Sequence, residues 1–273
     1  MDNRPMDIKT ADKGPVGILD SGLGGLTVVN AMAASLPNES IIYVGDTARV
    51  PYGEKDVDTI RLYGRQIIGF LQKKGVKAVI VACGTISSNV IEELREEFSG
   101  LPLIDVVRPG IDACLQNPAK RIGVIATEAT VKSGFFQKKL REKAPEAEVD
   151  VRACPLFVPL IEEGWADHII AAKIVKSYLK DWQDNPIDSL ILGCTHYPLL
   201  SRVLGKVLKD VKQIDMAVAT VETAKKYFSE NGMLSEAAKN KSEEFYVSGD
   251  VEKFNGMGRQ ITGIKIAAQK VTW

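Results

Sequence analysis

The chain reads AVIVACGT over residues 78–85 and SLILGCTH over residues 189–196. Each is a short run of Val, Ile, Leu and Ala that ends at a cysteine, Cys83 or Cys194. A threonine follows at once (Thr195) or one residue later (Thr85). Apolar runs without alternation read as strands of a parallel sheet buried on both faces. In open α/β sheets, ligands bind beyond the carboxyl ends of the strands. Two thiols delivered to that level from two separate units of the chain suggest a paired acid and base.

Outward from these runs, strand and helix patterns alternate almost throughout. Candidate strands lie at 15–20, 40–45, 77–83, 102–107, 121–126, 148–153, 187–193, 211–215, 244–248 and 263–267. Helical spacing of apolar residues marks 56–74, 87–98, 130–143, 168–182 and 217–231. The alternation predicts an α/β fold with mostly parallel sheets. GPVGILDSG is echoed by KRIGVIATE, and each opens a unit in which a later strand ends in a cysteine. Two similar, pseudo-symmetric lobes are therefore expected, with the active site in the cleft between them. One comprises residues 1–106 completed by 214–273, and the other residues 107–213.

Composition narrows the function classes. The 273 residues carry 35 basic and 35 acidic side chains, so no basic stripe points to nucleic acid and no polybasic run to an anionic membrane. The polar start MDNRPMDIKTADKG lacks the apolar core of a secretory signal, and no apolar stretch approaches the roughly 18–20 residues that span a bilayer. Four cysteines in a chain of this length are no disulfide framework, and a reducing cytoplasm is the expected location.

Each motif has a bland reading beside the functional one. Asp20-Ser21-Gly22-Leu23-Gly24-Gly25 is a glycine-rich turn of the kind that opens a helix and exposes N–H groups to an anion. The dinucleotide fingerprint needs a glycine where Thr27 stands, and Asp20 puts negative charge where pyrophosphate would sit. Recognition of a carboxylate or amine fits better; a structural turn is the bland alternative. GDTARVPYGEK (45–55) is turn chemistry placed on the same rim. Free cysteines are often small buried hydrophobes, which suits Cys114 and Cys154. His196, one of two histidines, is near enough to Cys194 to share a face of an extended segment or to serve a nucleophilic thiol as base. A hydrolase reading leaves Cys83 unexplained. Cys-x-His spacing without a second Cys/His pair argues against a metal.

Together, DSGLGGLTV (20–28), GDTARVPYG (45–53), Cys83 with Thr85, ATEAT (126–130), CPLFVPLIEEG (154–164) and GCTHYPLL (193–200) resemble the glutamate racemases, within the aspartate/glutamate racemase superfamily. The resemblance implies a cofactor-independent isomerase that interconverts L- and D-glutamate for peptidoglycan synthesis, the small-molecule substrate lying between two cysteines. It implies that Cys83 acts on D-glutamate and Cys194 on L-glutamate, with Asp20 and His196 assisting. It further implies that Ser21, Tyr52 and Gly53 hold the side-chain carboxylate. Gly84, Thr85, Thr127, Thr130 and Thr195 would surround the head group, and Glu162 would add an acidic group. A homodimer is also implied.

The chain departs from that pattern at several positions. Gly84 stands where asparagine usually follows the first cysteine, Arg108 precedes Pro-Gly, Phe136 replaces a common tyrosine, and Met216 a usual serine. Loss of the amide at Gly84 opens two alternatives: a two-cysteine racemase for aspartate or another small carboxylate, or a catalytically weakened binding paralogue.

Overall fold

In the computed structural model, residues 14–116, 119–236 and 241–273 are described. The polar start of the chain, residues 1–13, lies outside them. The strands are β1 (Val16–Asp20), β2 (Ile41–Gly45), β3 (Ala78–Val81), β4 (Leu103–Asp105), β5 (Arg121–Ala126), β6 (Glu148–Ala153), β7 (Ser189–Leu192), β8 (Lys212–Asp215), β9 (Glu243–Val247) and β10 (Gln269–Lys270). Among the described residues they form two sheets, ordered β10-β9-β2-β1-β3-β4 and β6-β5-β7-β8. Every pairing is parallel.

The order β2-β1-β3-β4 in the first sheet is repeated as β6-β5-β7-β8 in the second. This is the pseudo-symmetry announced by the two cysteine runs. In each sheet the chain reverses its direction of winding beside the first strand, so β1/β3 and β5/β7 flank equivalent switch points. Strands β1, β2, β3 and β7 are buried at every position, as their unbroken apolar sequences require. Edge strand β6, EVDVRA, alternates and stays partly exposed.

The two sheets share one core. Val16, Ile18 and Ile80 belong to the same buried cluster as Ile122, Val124 and Ile191. The helices Val107–Leu115 and Met216–Glu230, which follow β4 and β8, supply Ile111, Cys114, Met216 and Val221 to it. Where these two helices meet, a Cβ on Gly110 would stand 2.6 Å from Met216 Cγ, so a side chain at 110 would have to displace Met216. Separate clusters cover the outer faces, around Ile67 and Leu94 on the first lobe and Phe157 and Trp182 on the second.

The expected strand at 263–267 is absent. The helix Val251–Thr262 ends at Gly263 with φ +74°, the left-handed cap that glycine accepts without strain. Ile266 then packs into the core from a loop, and the strand comes later, at β10. The helical pattern at 130–143 is likewise broken in two at Gly134, with φ +68°. Among the described residues, no helix is long and apolar enough to cross a membrane.

Candidate active site

The carboxyl ends of β1, β2 and β3 face those of β5, β6 and β7. Ser21, Tyr52, Gly53, Cys83, Gly84 and Thr85 from the first lobe line one cavity with Thr127, Cys194, Thr195 and His196 from the second. The cavity is narrow, with a volume of about 20 Å³, and has no room for a dinucleotide. Cys83 and Cys194 are 4% and 7% exposed, so both thiols reach the cavity yet are screened from bulk water. Cys114 and Cys154 are buried and line no part of it.

Each thiol has its own partner. Cys83 caps the short helix Gly84–Asn89, and its sulfur lies 3.7 Å from Ser21 Oγ. Burial, reinforced by the charge of Asp20, pushes the Cys83 thiol up to about 12. Cys194 Sγ lies 3.8 Å from His196 Nδ1. The two meet through a turn, with His196 in the helical region at φ −73°, and not along an extended strand. On its other side, His196 Nε2 lies 3.0 Å from Glu162 Oε1. Burial alone depresses the imidazole's pKa, but hydrogen bonds to Cys194 and Glu162, with the charges of Cys194 and Asp20, outweigh it and raise it well above the ordinary histidine value. The two thiols therefore sit in opposite settings, one held as an acid and one beside an imidazole that favours the imidazolium.

Hydroxyls bind the two halves together. Thr195 Oγ1 donates to Asp20 Oδ2 at 3.0 Å, while Asp20 Oδ1 accepts the Gly22 N–H at 2.8 Å. Thr85 and Thr127 hydroxyls lie 3.0 Å apart across the cleft, and Thr127 Oγ1 donates to Thr130 Oγ1 at 3.0 Å. The Tyr52 hydroxyl gives its single proton to Asp46, which leaves the N–H groups of Tyr52 and Gly53, at the start of a short 3₁₀ turn, as the donors of that rim.

The glycines of the first turn have a tertiary explanation. A Cβ on Gly24 would stand 2.4 Å from His196 Nδ1 and 2.5 Å from Thr195 Oγ1; one on Gly22 would stand 2.7 Å from Glu162 Oε1. The turn is bare because the second lobe presses into it, and its own Asp20 occupies the anion position. Gly84 belongs to the same class of contact: a Cβ there would meet the Gly193 carbonyl oxygen at 2.7 Å.

Two polar residues escaped the sequence reading. Asn89 Nδ2 donates to Thr85 O at 2.8 Å and to Ala129 O at 3.4 Å, and Ser88 Oγ donates to Thr130 Oγ1 at 3.3 Å. Both tie the helix after Cys83 to the second lobe. Their signal was the run Ser87-Ser88-Asn89 inside an otherwise apolar segment. Of the departures, Phe136 is buried under Gly193, and Arg108 pairs with Asp105 Oδ2 at 2.8 Å beside the crossover between lobes. Among the described residues, no group of three or more His, Cys, Asp or Glu side chains is arranged to hold a metal.

This geometry agrees with comparisons to known proteins. The family model for Asp/Glu/Hydantoin racemase matches residues 24–224. The chain is 40% identical over 250 residues to a glutamate racemase of Neisseria meningitidis serogroup C, covering 91% of this chain and 93% of the relative. It is 46% identical over 218 residues to that of Aquifex aeolicus, covering 80% and 84%. Among solved structures, the glutamate racemase of Francisella tularensis subsp. tularensis in complex with D-glutamate superposes with a TM-score of 0.89 at 38% identity, over 96% of this chain and 98% of that one.

Proposed function

The chain belongs to the Asp/Glu/Hydantoin racemase family, which makes it an isomerase, and from that membership we propose that it interconverts L- and D-glutamate by proton transfer between Cys83 and Cys194. The observation that carries the reading is the pair of thiols brought by separate lobes into one small cavity. The Cys194 thiolate, beside His196, removes the α-proton of L-glutamate. The Cys83 thiol delivers its proton to the opposite face of the planar carbanion and becomes the thiolate that serves the reverse direction. One C–H bond breaks and one forms, and the cysteines exchange protonation states.

The physical demand is severe, because an α-proton is far less acidic than either thiol. The site must hold the substrate in a near-attack geometry and stabilise carbanion charge with fixed donors. In this reading the Tyr52 and Gly53 N–H groups, with Ser21, hold the side-chain carboxylate. Thr85, Thr127 and Thr195 hold the head group, and Thr130, buried behind them, supports Thr127 through its hydroxyl. Asp20 and His196 set the proton inventory of the nearer thiols, and Glu162 supports His196. The reading extends to a cytoplasmic homodimer that supplies D-glutamate for peptidoglycan.

Incubation of either pure enantiomer of glutamate in D₂O should give racemate with deuterium at the α-carbon. Cys83→Ser and Cys194→Ser should each abolish racemisation; full activity in either variant would sink the two-thiol mechanism. A second reading, aspartate or another small carboxylate as substrate, is favoured by one observation, the missing side chain at Gly84. The ratio of kcat/KM for glutamate and aspartate decides between them.

A further inference from the structure

We propose that Trp273 is a positioning residue for the substrate-facing turn at residues 51–53, acting through the buried carboxylate of Asp46; this rests on the reading of the cavity as a dicarboxylate site given above. Asp46 follows β2 and is fully buried. Its Oδ2 accepts Arg49 Nε and the Tyr52 hydroxyl. Its Oδ1 accepts Ser248 Oγ at 2.6 Å and Trp273 Nε1 at 3.0 Å. Four donors use the full acceptor capacity of one carboxylate. One of them, Tyr52, lies in the turn and another, Arg49, just before it; the other two come from elsewhere in the chain.

Those outside donors stand on elements without a counterpart in the second lobe. Ser248 follows β9 and Trp273 lies beyond β10, the strands that extend the first sheet past β2. Ser248 Oγ also accepts the Ala48 N–H at 3.0 Å, and the Val271 N–H donates to Val247 O at 2.9 Å, anchoring the approach to Trp273. The indole ring stands edge-on to Phe70 at 6.2 Å, and the Arg49 guanidinium lies 5.2 Å from the indole and 3.7 Å from the Tyr63 ring. Trp273 thus touches the base of the turn through its N–H and its ring. None of these atoms lines the cavity, so the effect on substrate is indirect, through the placement of the Tyr52 and Gly53 N–H groups.

The ring and the N–H are separable. Trp273→Phe keeps the ring and removes the donor; Trp273→Ala removes both. The residue is 38% exposed, so neither change threatens the core. In substrate-free protein, W273F should speed hydrogen exchange of the amides of 47–50, 52 and 53 about three- to tenfold, the loss of one hydrogen bond from a part-exposed donor to a carboxylate. With glutamate, KM should rise by about the same factor while kcat stays within about twofold. Wild-type exchange at 47–53 in W273F would overturn the proposal. So would an unchanged KM with a loss of kcat and melting temperature shared by W273A alone, the pattern of ring packing. The exchange experiment needs no substrate, so a wild-type protein silent on glutamate would sink the substrate assignment and leave this inference standing or falling on its own measurement.

Discussion

Thr195 Oγ1 donates to Asp20 Oδ2 at 3.0 Å and thereby ties the loop after β7 to the end of β1. Both residues are almost wholly buried. Thr195→Val keeps the shape and removes the donor, leaving a buried carboxylate oxygen short of a partner. That costs about 1–3 kcal/mol, or several degrees of melting temperature in a chain of this size at ~2–4 °C per kcal/mol. Thr195→Ser should recover most of the loss. A valine variant that melts with the wild type would show that the bond contributes nothing.

The titration of Cys83 follows from the same carboxylate. Burial and the Asp20 charge both disfavour the thiolate, so the group stays protonated until about 12. Burial also raises Cys114 to about 11 and Cys154 to about 12. In Cys194→Ser, thiolate absorbance near 240 nm should show no step around the ordinary value of ~8.5. Asp20→Asn removes one of the two disfavouring causes, so in that background the Cys83 step should move to lower pH. A step near the ordinary value in Cys194→Ser alone would contradict this account of the site.

Glu162 supports the other thiol. Its bond to His196 Nε2 at 3.0 Å helps raise the imidazole's pKa. Glu162→Gln keeps a hydrogen-bonding oxygen but removes the charge, so the imidazolium is less favoured. kcat/KM for glutamate should fall about tenfold, less than the roughly 100- to 10,000-fold contributed by a group that itself transfers the proton. Because enantiomers have equal free energies, the fall must be equal from L- and from D-glutamate. An E162Q enzyme with wild-type kcat/KM would remove Glu162 from the mechanism.

Gly84 makes an opposite prediction to the one its missing amide suggests. Restoring asparagine, or even adding a methyl group, places a Cβ 2.7 Å from the Gly193 carbonyl oxygen. Overpacking of this kind costs about 1–3 kcal/mol, more than the ~1 kcal/mol that alanine gains over glycine within a helix. Gly84→Ala and Gly84→Asn should both lower melting temperature and reduce turnover, because relief comes only from parting the two strand ends that carry the thiols. Increased activity in Gly84→Asn would show that the lobes yield at that point without cost.

Much of this was legible in the residues. The Val/Ile/Leu runs predict buried parallel strands wherever β1, β2, β3 and β7 stand, because a strand covered on both faces has no polar side to alternate with. Residues 263–267 carry the alternation of a strand in Ile264, Lys265 and Ile266 but form none, because the helix before them ends in the left-handed cap at Gly263. Ser88 and Asn89 were passed over because their partners, Thr130 and Ala129, lie some forty residues away in another lobe. Trp273 gives no sign of its role at all, since its partner Asp46 is near the other end of the chain.

By itself, the sequence determined where the thiols stand: two strand-end cysteines, each followed by a hydroxyl, one with a histidine two residues on. Strand termini are local features, and a thiol placed on one is committed to the ligand-binding rim by the fold class alone. Only the tertiary structure decided how the two halves meet. It set Gly22 and Gly24 against Thr195, His196 and Glu162, and Gly84 against Gly193. It also gave the thiols unlike electrostatic surroundings. The reason is that desolvation and charge depend on what packs against a group from every side: Asp20 reaches Cys83 from a neighbouring strand, and Glu162 reaches His196 from a helix more than thirty residues away in sequence.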